Sequence, residues 1–353
     1  MTDDVKIGLA GFGFGGKYFH APLIAAAEGV QFAGVVTRSP ERQAEVAQLY
    51  PGVPTFASLS ELKAAGAHAV AISTPAETHT PLVHEAIGLG LAVVSDKPFA
   101  LDAIAARGAV EAAEQAGVKL SVYQNRRWDA DLLTVKKLVE EGRLGDVYRF
   151  ESRFERFDPQ GTPPAAGGGI LRDFGSHLVD QALYLFGPAV TVYAELDTTA
   201  EGELDSRFFV AIRHQNGVLS HLIGNWVEGA PGPRYRVSGS NGSFVLNKPM
   251  EGQEELLIQG LNPATAGDRW GVEPESSYGR LYRGDAGTPI PTERGRWDTY
   301  YPAFAAAVRG EGEVPVDPRD AIASTEVLDA ARISARTGQV VIPGPVGPAG
   351  PVA

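Results

Sequence analysis

Along the first third of the chain, short apolar runs alternate with stretches of helical spacing. Val5–Ala10, Gln31–Val36, Ala69–Ser73, Leu91–Ser95 and Val118–Tyr123 are runs of strand length, and Pro54–Phe56 is a shorter one. Runs this continuous suit strands covered on both faces. Between them, Gly15–Ala27, Pro40–Leu49, Pro81–Leu89 and Asp102–Ala116 read as helices, with a helical turn at Ser60–Ala65. Pro40 sits near a first turn, Ser60 is placed to cap, and Gly90 and Gly117 mark ends. Such alternation predicts an α/β domain whose parallel sheet is doubly wound by right-handed crossovers and ends near Gln124.

After Gln124 the period changes. Asp129–Glu141 is amphipathic and stops at Gly142. Then come Val147–Arg156, Val190–Leu196, Phe208–Arg213, Val218–Trp226, Tyr235–Ser238 and Phe244–Leu246, all of β character. His214-Gln215-Asn216-Gly217 reads as a hairpin turn between two of them. Consecutive strands joined by turns predict a large, open, mostly antiparallel sheet, accompanied by helices at Asp173–Phe186 and Arg319–Thr337. Residues 125–342 form this second α/β domain, and 343–353 form a Pro/Gly-rich tail of extended character. Helices on one face leave the other face to be covered, and Val218–Trp226 is more apolar than a solvated face tolerates. A homodimer or homotetramer joined through this sheet is expected.

Composition narrows the classes. The formal net charge is −12, which argues against nucleic acid, since phosphate binding needs clustered Lys and Arg. With no cysteine, thiol catalysis, disulfides and Cys-based zinc sites are excluded. Met1-Thr2-Asp3-Asp4 lacks the basic, then apolar, start of a secretory signal, and no apolar run reaches membrane-spanning length. The expectation is a cytoplasmic protein with no membrane partner.

The chemistry begins at Gly11-Phe12-Gly13-Phe14-Gly15-Gly16, a G-x-G-x-x-G that follows a strand and opens a helix. The first glycine allows a tight turn, the second lets backbone approach a pyrophosphate, and the third lets helix and strand pack closely. Residues 1–124 therefore read as a Rossmann dinucleotide-binding domain. After the second strand, Thr37-Arg38-Ser39 places an arginine where NAD-binding sites carry an acid. An arginine there neutralises the 2′-phosphate of NADP; stacking on adenine is the alternative, which serves NAD equally. Ser73-Thr74-Pro75 with His79, and Asp96-Lys97-Pro98, follow the next strands at the edge of the ligand crevice. A lysine ending a buried strand makes poor packing filler, and Pro98 holds its backbone extended. Further on, Gly167-Gly168-Gly169 precedes a helix that carries Asp173 and His177 four residues apart on one face. A carboxylate and an imidazole presented together suit proton transfer; the spacing also fits two metal ligands.

Taken in order, these motifs resemble the Gfo/Idh/MocA oxidoreductase family over nearly the whole chain, the tail excepted. Where that family usually has Glu-Lys-Pro this chain has Asp96-Lys97-Pro98, one methylene shorter. Gln124 through Asp129, Gly232-Pro233-Arg234-Tyr235 and Gly252-Gln253-Glu254-Glu255 resemble its NADP-dependent scyllo-inositol dehydrogenase branch. The resemblance implies hydride exchange between NADP (NAD as the alternative) and a small polyol or sugar, catalysed by Lys97, Asp173 and His177 without a metal. It extends cofactor contacts to Asn125 and Arg127, and offers Trp128 and Tyr235 as substrate contacts. Two other readings share the fold: a dinucleotide or sugar sensor, and an enzyme acting on another sugar or a biliverdin-type substrate. A sensor is expected to lose Lys97 or His177, and this chain keeps both.

Overall fold

A computed structural model describes residues 4–159, 168–198 and 204–344. Gly167 and the tail beyond Gly344 lie outside the described residues. The first sheet contains β1 (Val5–Ala10), β2 (Val30–Val36), β3 (Thr55–Phe56), β4 (Ala69–Ile72), β5 (Ala92–Ser95) and β6 (Leu120–Val122), in the order β3-β2-β1-β4-β5-β6 with parallel pairing throughout. The order reverses between β1 and β4, so the crevice opens at their carboxyl ends. The predicted strands are found within a residue or two. Ile7, Leu9, Val70, Ile72, Val93 and Val94 are wholly buried, which is the source of their unbroken apolar pattern.

Two local expectations shift. The helical turn begins at Leu59, and its cap is Ser58, whose hydroxyl accepts from Glu61 N; Ser60 lies inside the helix. The Glu61 carboxylate in turn accepts from Ala57 N, so the start is held from both sides. The next helix starts at His79 rather than Pro81, which places the proline within the first turn, where a missing N–H costs nothing.

The second sheet has eight strands: β7 (Val147–Glu155), β8 (Ala189–Thr198), β9 (Asp205–His214), β10 (Leu219–Asn225), β11 (Tyr235–Gly239), β12 (Gly242–Leu246), β13 (Arg280–Arg283) and β14 (Ala286–Pro289). Their order is β14-β13-β12-β11-β7-β10-β9-β8. Among the described residues, β7 and β10 run parallel and the other neighbours antiparallel. Helices Ile170–Phe186 and Pro318–Thr337 cover one face, where Val192, Phe208, Val210 and Leu222 join Leu178, Val179 and Val327 in the core. The opposite face shows alternation, with Phe209, Ala211, Leu219, His221 and Ile223 half-buried.

Between the second sheet and the last long helix, the chain returns to the first sheet. Trp297, Tyr300, Tyr301 and Phe304 share a core with Ile7, Leu9, Val35 and Ala71. Helices Gly252–Ile258 and Tyr300–Val308 and the edge hairpin β13–β14 had no counterpart among the expected elements. Tyr300–Val308 is apolar on every side, so it shows no amphipathic stripe.

Candidate active site

The glycine turn closes as its spacing requires. Gly11 sits at φ +94°, and a Cβ there would lie 2.3 Å from Ser73 O, so the ends of β1 and β4 can pass only with glycine. A Cβ on Gly16 would meet Gly11 O at 2.3 Å, within the turn itself. Gly13 differs: its nearest neighbour would be the Arg42 guanidinium at 3.9 Å, so protein packing does not demand glycine there. Open space over backbone N–H groups at a helical start is a cradle for a dinucleotide pyrophosphate. The helical segment over it opens with a π-helical turn, Gly15–His20, before Ala21–Ala26. Phe14 and Gly15 line the cleft, whereas the Phe12 ring is buried edge-on to Tyr50.

From this turn the cleft extends both ways. On one side a cavity of about 420 Å³ is lined by Thr37, exposed Arg38, Ser39, Arg42 and Ser58. The Ser39 oxygen caps the following helix by accepting from Arg42 N at 3.4 Å, which leaves its own hydrogen free to donate. Arg42, which sequence reading passed over, lines both cavities; its signal was a second arginine one helical turn after Arg38. Among the described residues neither arginine has a carboxylate within ion-pair distance.

On the other side a cavity of about 520 Å³ brings together Gly13, Ser73, Thr74, Pro75, Asp96, Lys97, Asn125, Asp173 and His177. Lys97 Nζ pairs with Asp173 Oδ1 across the two domains. Asp96 Oδ1 accepts from Lys97 N at 2.8 Å, and Oδ2 accepts from Ser73 Oγ at 2.8 Å. Oδ2 also lies 3.2 Å from Nε2 of buried His20, whose Nδ1 is 2.5 Å from Tyr301 Oη. Burial would raise the Asp96 carboxyl, but His20, His79 and Lys97 together hold it well below the usual carboxylate range. His177 moves the other way. Burial first, then the charges of Lys97, Arg126 and Arg234, push its imidazole well below its ordinary 6.5. The imidazole is therefore neutral at neutral pH, and its buried Nδ1 has no hydrogen-bond partner among the described residues.

The helix carrying Asp173 and His177 starts where it does because Asp205 accepts from Leu171 N at 2.5 Å. A Cβ on Gly169, φ +93°, would collide with that Asp205 carboxylate at 2.4 Å. The glycines thus admit a capping acid from β9, a role with no local sequence signal.

Other expected contacts do not reach the cleft. His79 is buried, with its ring nitrogens 2.8 Å from Thr74 O and Pro98 O; it braces two cleft-lining turns. Arg127 gives Nε and Nη2 to Asp180 at 2.8 and 2.6 Å, and Nη1 to Asp320 at 2.9 Å, so its guanidinium is spent on protein carboxylates. Its neighbour Arg126 lines the cavity instead, bonded to Asp129 and Glu254. Trp128 packs edge-on to Tyr300, and Tyr235 is fully buried with its hydroxyl on Gln181.

The glycine turn and the Lys97, Asp173 and His177 cluster share one cleft, and comparison with known proteins gives the class, an oxidoreductase with an NAD-binding Rossmann fold. Residues 5–124 match the oxidoreductase family with NAD-binding Rossmann fold, and 132–245 match the GFO/IDH/MocA C-terminal domain. The chain belongs to the Gfo/Idh/MocA family. It is 36% identical to the uncharacterized oxidoreductase YdgJ of Escherichia coli, over 95% of this chain and 98% of that one. Identity to scyllo-inositol 2-dehydrogenase (NADP(+)) IolW of Bacillus subtilis is 32%, over 97% of this chain and 96% of that one. An oxidoreductase from Bacillus cereus superposes with a TM-score of 0.85 at 28% identity, covering 97% of this chain and 99% of that one.

Proposed function

We propose that the protein is an NADP-preferring dehydrogenase that interconverts a polyol or sugar hydroxyl and its ketone. The observation that carries this reading is the convergence of Lys97, Asp173 and neutral His177 on the cavity that begins at the glycine turn. In alcohol oxidation His177 accepts the hydroxyl proton while Lys97 donates a hydrogen bond to the same oxygen and stabilises the developing alkoxide. Asp173 holds the Lys97 ammonium and balances its charge. A bound nicotinamide supplies the hydride acceptor, and reduction uses the same contacts in reverse. Thr37, Arg38, Ser39 and Arg42 receive the 2′-phosphate with charge-assisted donors; Glu85 lines the same cavity but is not within ion-pair distance of either arginine. The NADP-dependent relative is consistent with that choice.

Association of copies through the free face of the second sheet is part of the same proposal, supported by half-buried Phe209, Leu219 and Ile223 on that face. The test of function is a panel of inositols, aldoses and their keto forms with NADP and NAD in both directions, read by nicotinamide absorbance. Turnover with NADP and at least one polyol or sugar is expected; no turnover in either direction overturns the reading.

A further inference from the structure

Arg156 directly follows β7, and Trp226 directly follows β10. Because these strands are parallel and in register to Asn225 opposite Glu155, the two side chains leave the same end of the sheet; Arg156 N donates to Asn225 O at 2.9 Å. Both line the cavity that holds Lys97, Asp173 and His177. Beside them Phe154 and Phe174 stack at 4.3 Å, and Trp226 stacks on Phe174 at 5.7 Å. The Arg156 guanidinium lies over both phenylalanine rings, 5.6 and 5.5 Å from their centroids.

Charge balance separates Arg156 from its neighbours. Lys97 is paired with Asp173, and Arg126 with Asp129 and Glu254. Among the described residues Arg156 has no carboxylate within 4.0 Å, although it is exposed and the whole chain is acidic. The stretch 160–167 that follows it contains no Asp or Glu. The rings restrain the guanidinium, so part of its ordering cost is met before any ligand arrives.

We propose that Arg156 is a substrate-recognition residue and that the preferred substrate carries a carboxylate: a polyol or sugar acid rather than its neutral counterpart. This rests on the dehydrogenase reading above and narrows it. A planar fork of donors matches a carboxylate bidentately, while the aromatic stack offers an apolar surface to the carbon chain beside it. Neutral polyols leave Arg156, which has no carboxylate partner among the described residues, without an anion.

Steady-state kcat/KM is compared for aldonates and uronates, for neutral aldoses and inositols, and for sugar phosphates, in wild type, Arg156→Gln and Arg156→Lys. Wild type should favour the carboxylates. Arg156→Gln should lower kcat/KM on them about ten- to a hundredfold more than on neutral substrates, with the melting temperature little changed and partial rescue by Arg156→Lys. Equal losses on acids and neutral substrates, or a wild-type preference for neutral ones, overturn the proposal. A loss confined to sugar phosphates overturns the carboxylate assignment. If no compound turns over, the dehydrogenase reading fails, and calorimetric binding of an aldonate against its aldose to the NADP-saturated protein still decides the role of Arg156.

Discussion

The two ends of the cleft treat positive charge in opposite ways. At the end beyond the glycine turn, Arg38 is exposed, and neither it nor Arg42 has an acidic partner among the described residues. At the junction end, Arg126 and Arg127 are buried and tied to carboxylates of the protein itself, and Lys97 is held by Asp173. An unpaired cation in water costs little and keeps its donors for a ligand. A buried one must be neutralised internally, because desolvation without a partner is expensive. The exposed arginines are therefore free to meet a ligand and the buried ones hold groups in position; Arg156, exposed at the junction end, belongs with the first kind.

The largest expected effect breaks the junction end. Lys97→Ala and His177→Ala should each lower kcat by about 10²–10⁴-fold, while NADPH affinity, measured by fluorescence titration, changes little. Near wild-type turnover by Lys97→Ala on the best substrate would remove it from the mechanism.

Next comes stability. Asp180→Asn leaves buried Arg127 with Asp320 as its remaining acid among the described residues, and should cost about 3–5 kcal/mol in denaturant unfolding, the usual penalty for breaking a buried pair. Arg38→Ala, at the exposed end, should leave stability within about 0.5 kcal/mol. Similar losses at both sites would erase the contrast.

Cofactor choice sharpens the recognition side. Arg38→Ala should reduce kcat/KM for NADP about ten- to a hundredfold, with NAD nearly unaffected, since charge-assisted bonds to the 2′-phosphate are worth about 1.5–3 kcal/mol each. An equal loss for both cofactors would mean that Arg38 stacks on adenine.

A smaller effect is set by pH. In the proposed mechanism proton acceptance needs neutral His177, which burial holds well below its ordinary 6.5. As pH falls, kcat/KM for alcohol oxidation should hold through 6.5 and drop only below it; an acid limb centred at or above the ordinary imidazole value contradicts the assignment. Last, Phe209→Glu on the free sheet face should shift a dimer or tetramer toward smaller species in light scattering, with turnover less affected than by any cleft substitution. A wild-type monomer at micromolar concentration refutes association through this face.

Much of this was readable before any coordinates. Glycine spacing, the apolar runs of β1, β4 and β5, and the i, i+4 placement of Asp173 and His177 are local facts, and local sterics carry them into the fold. Arg127 against Arg126 was not readable. Adjacent in sequence and identical in chemistry, they part only because Asp180 and Asp320 meet one while Asp129 and Glu254 meet the other. His79 illustrates the same limit: its place after a cleft-forming turn suggested a ligand contact, but two backbone carbonyls from separate loops take both ring nitrogens.

Chain order alone was enough for the glycine turn, the alternation that makes the first sheet parallel, and the placement of Asp173 and His177 on one helix face, because each depends on residues within a few positions of one another. Partnerships across long separations belong to the folded state: Asp205 capping the helix of Asp173, Trp297 through Phe304 returning to the first sheet, and Arg156 lying over the Phe174 ring. In each of these the energy comes from desolvating a group against partners that the chain brings near only when both sheets have formed, and no pattern within a short window records which partner that is.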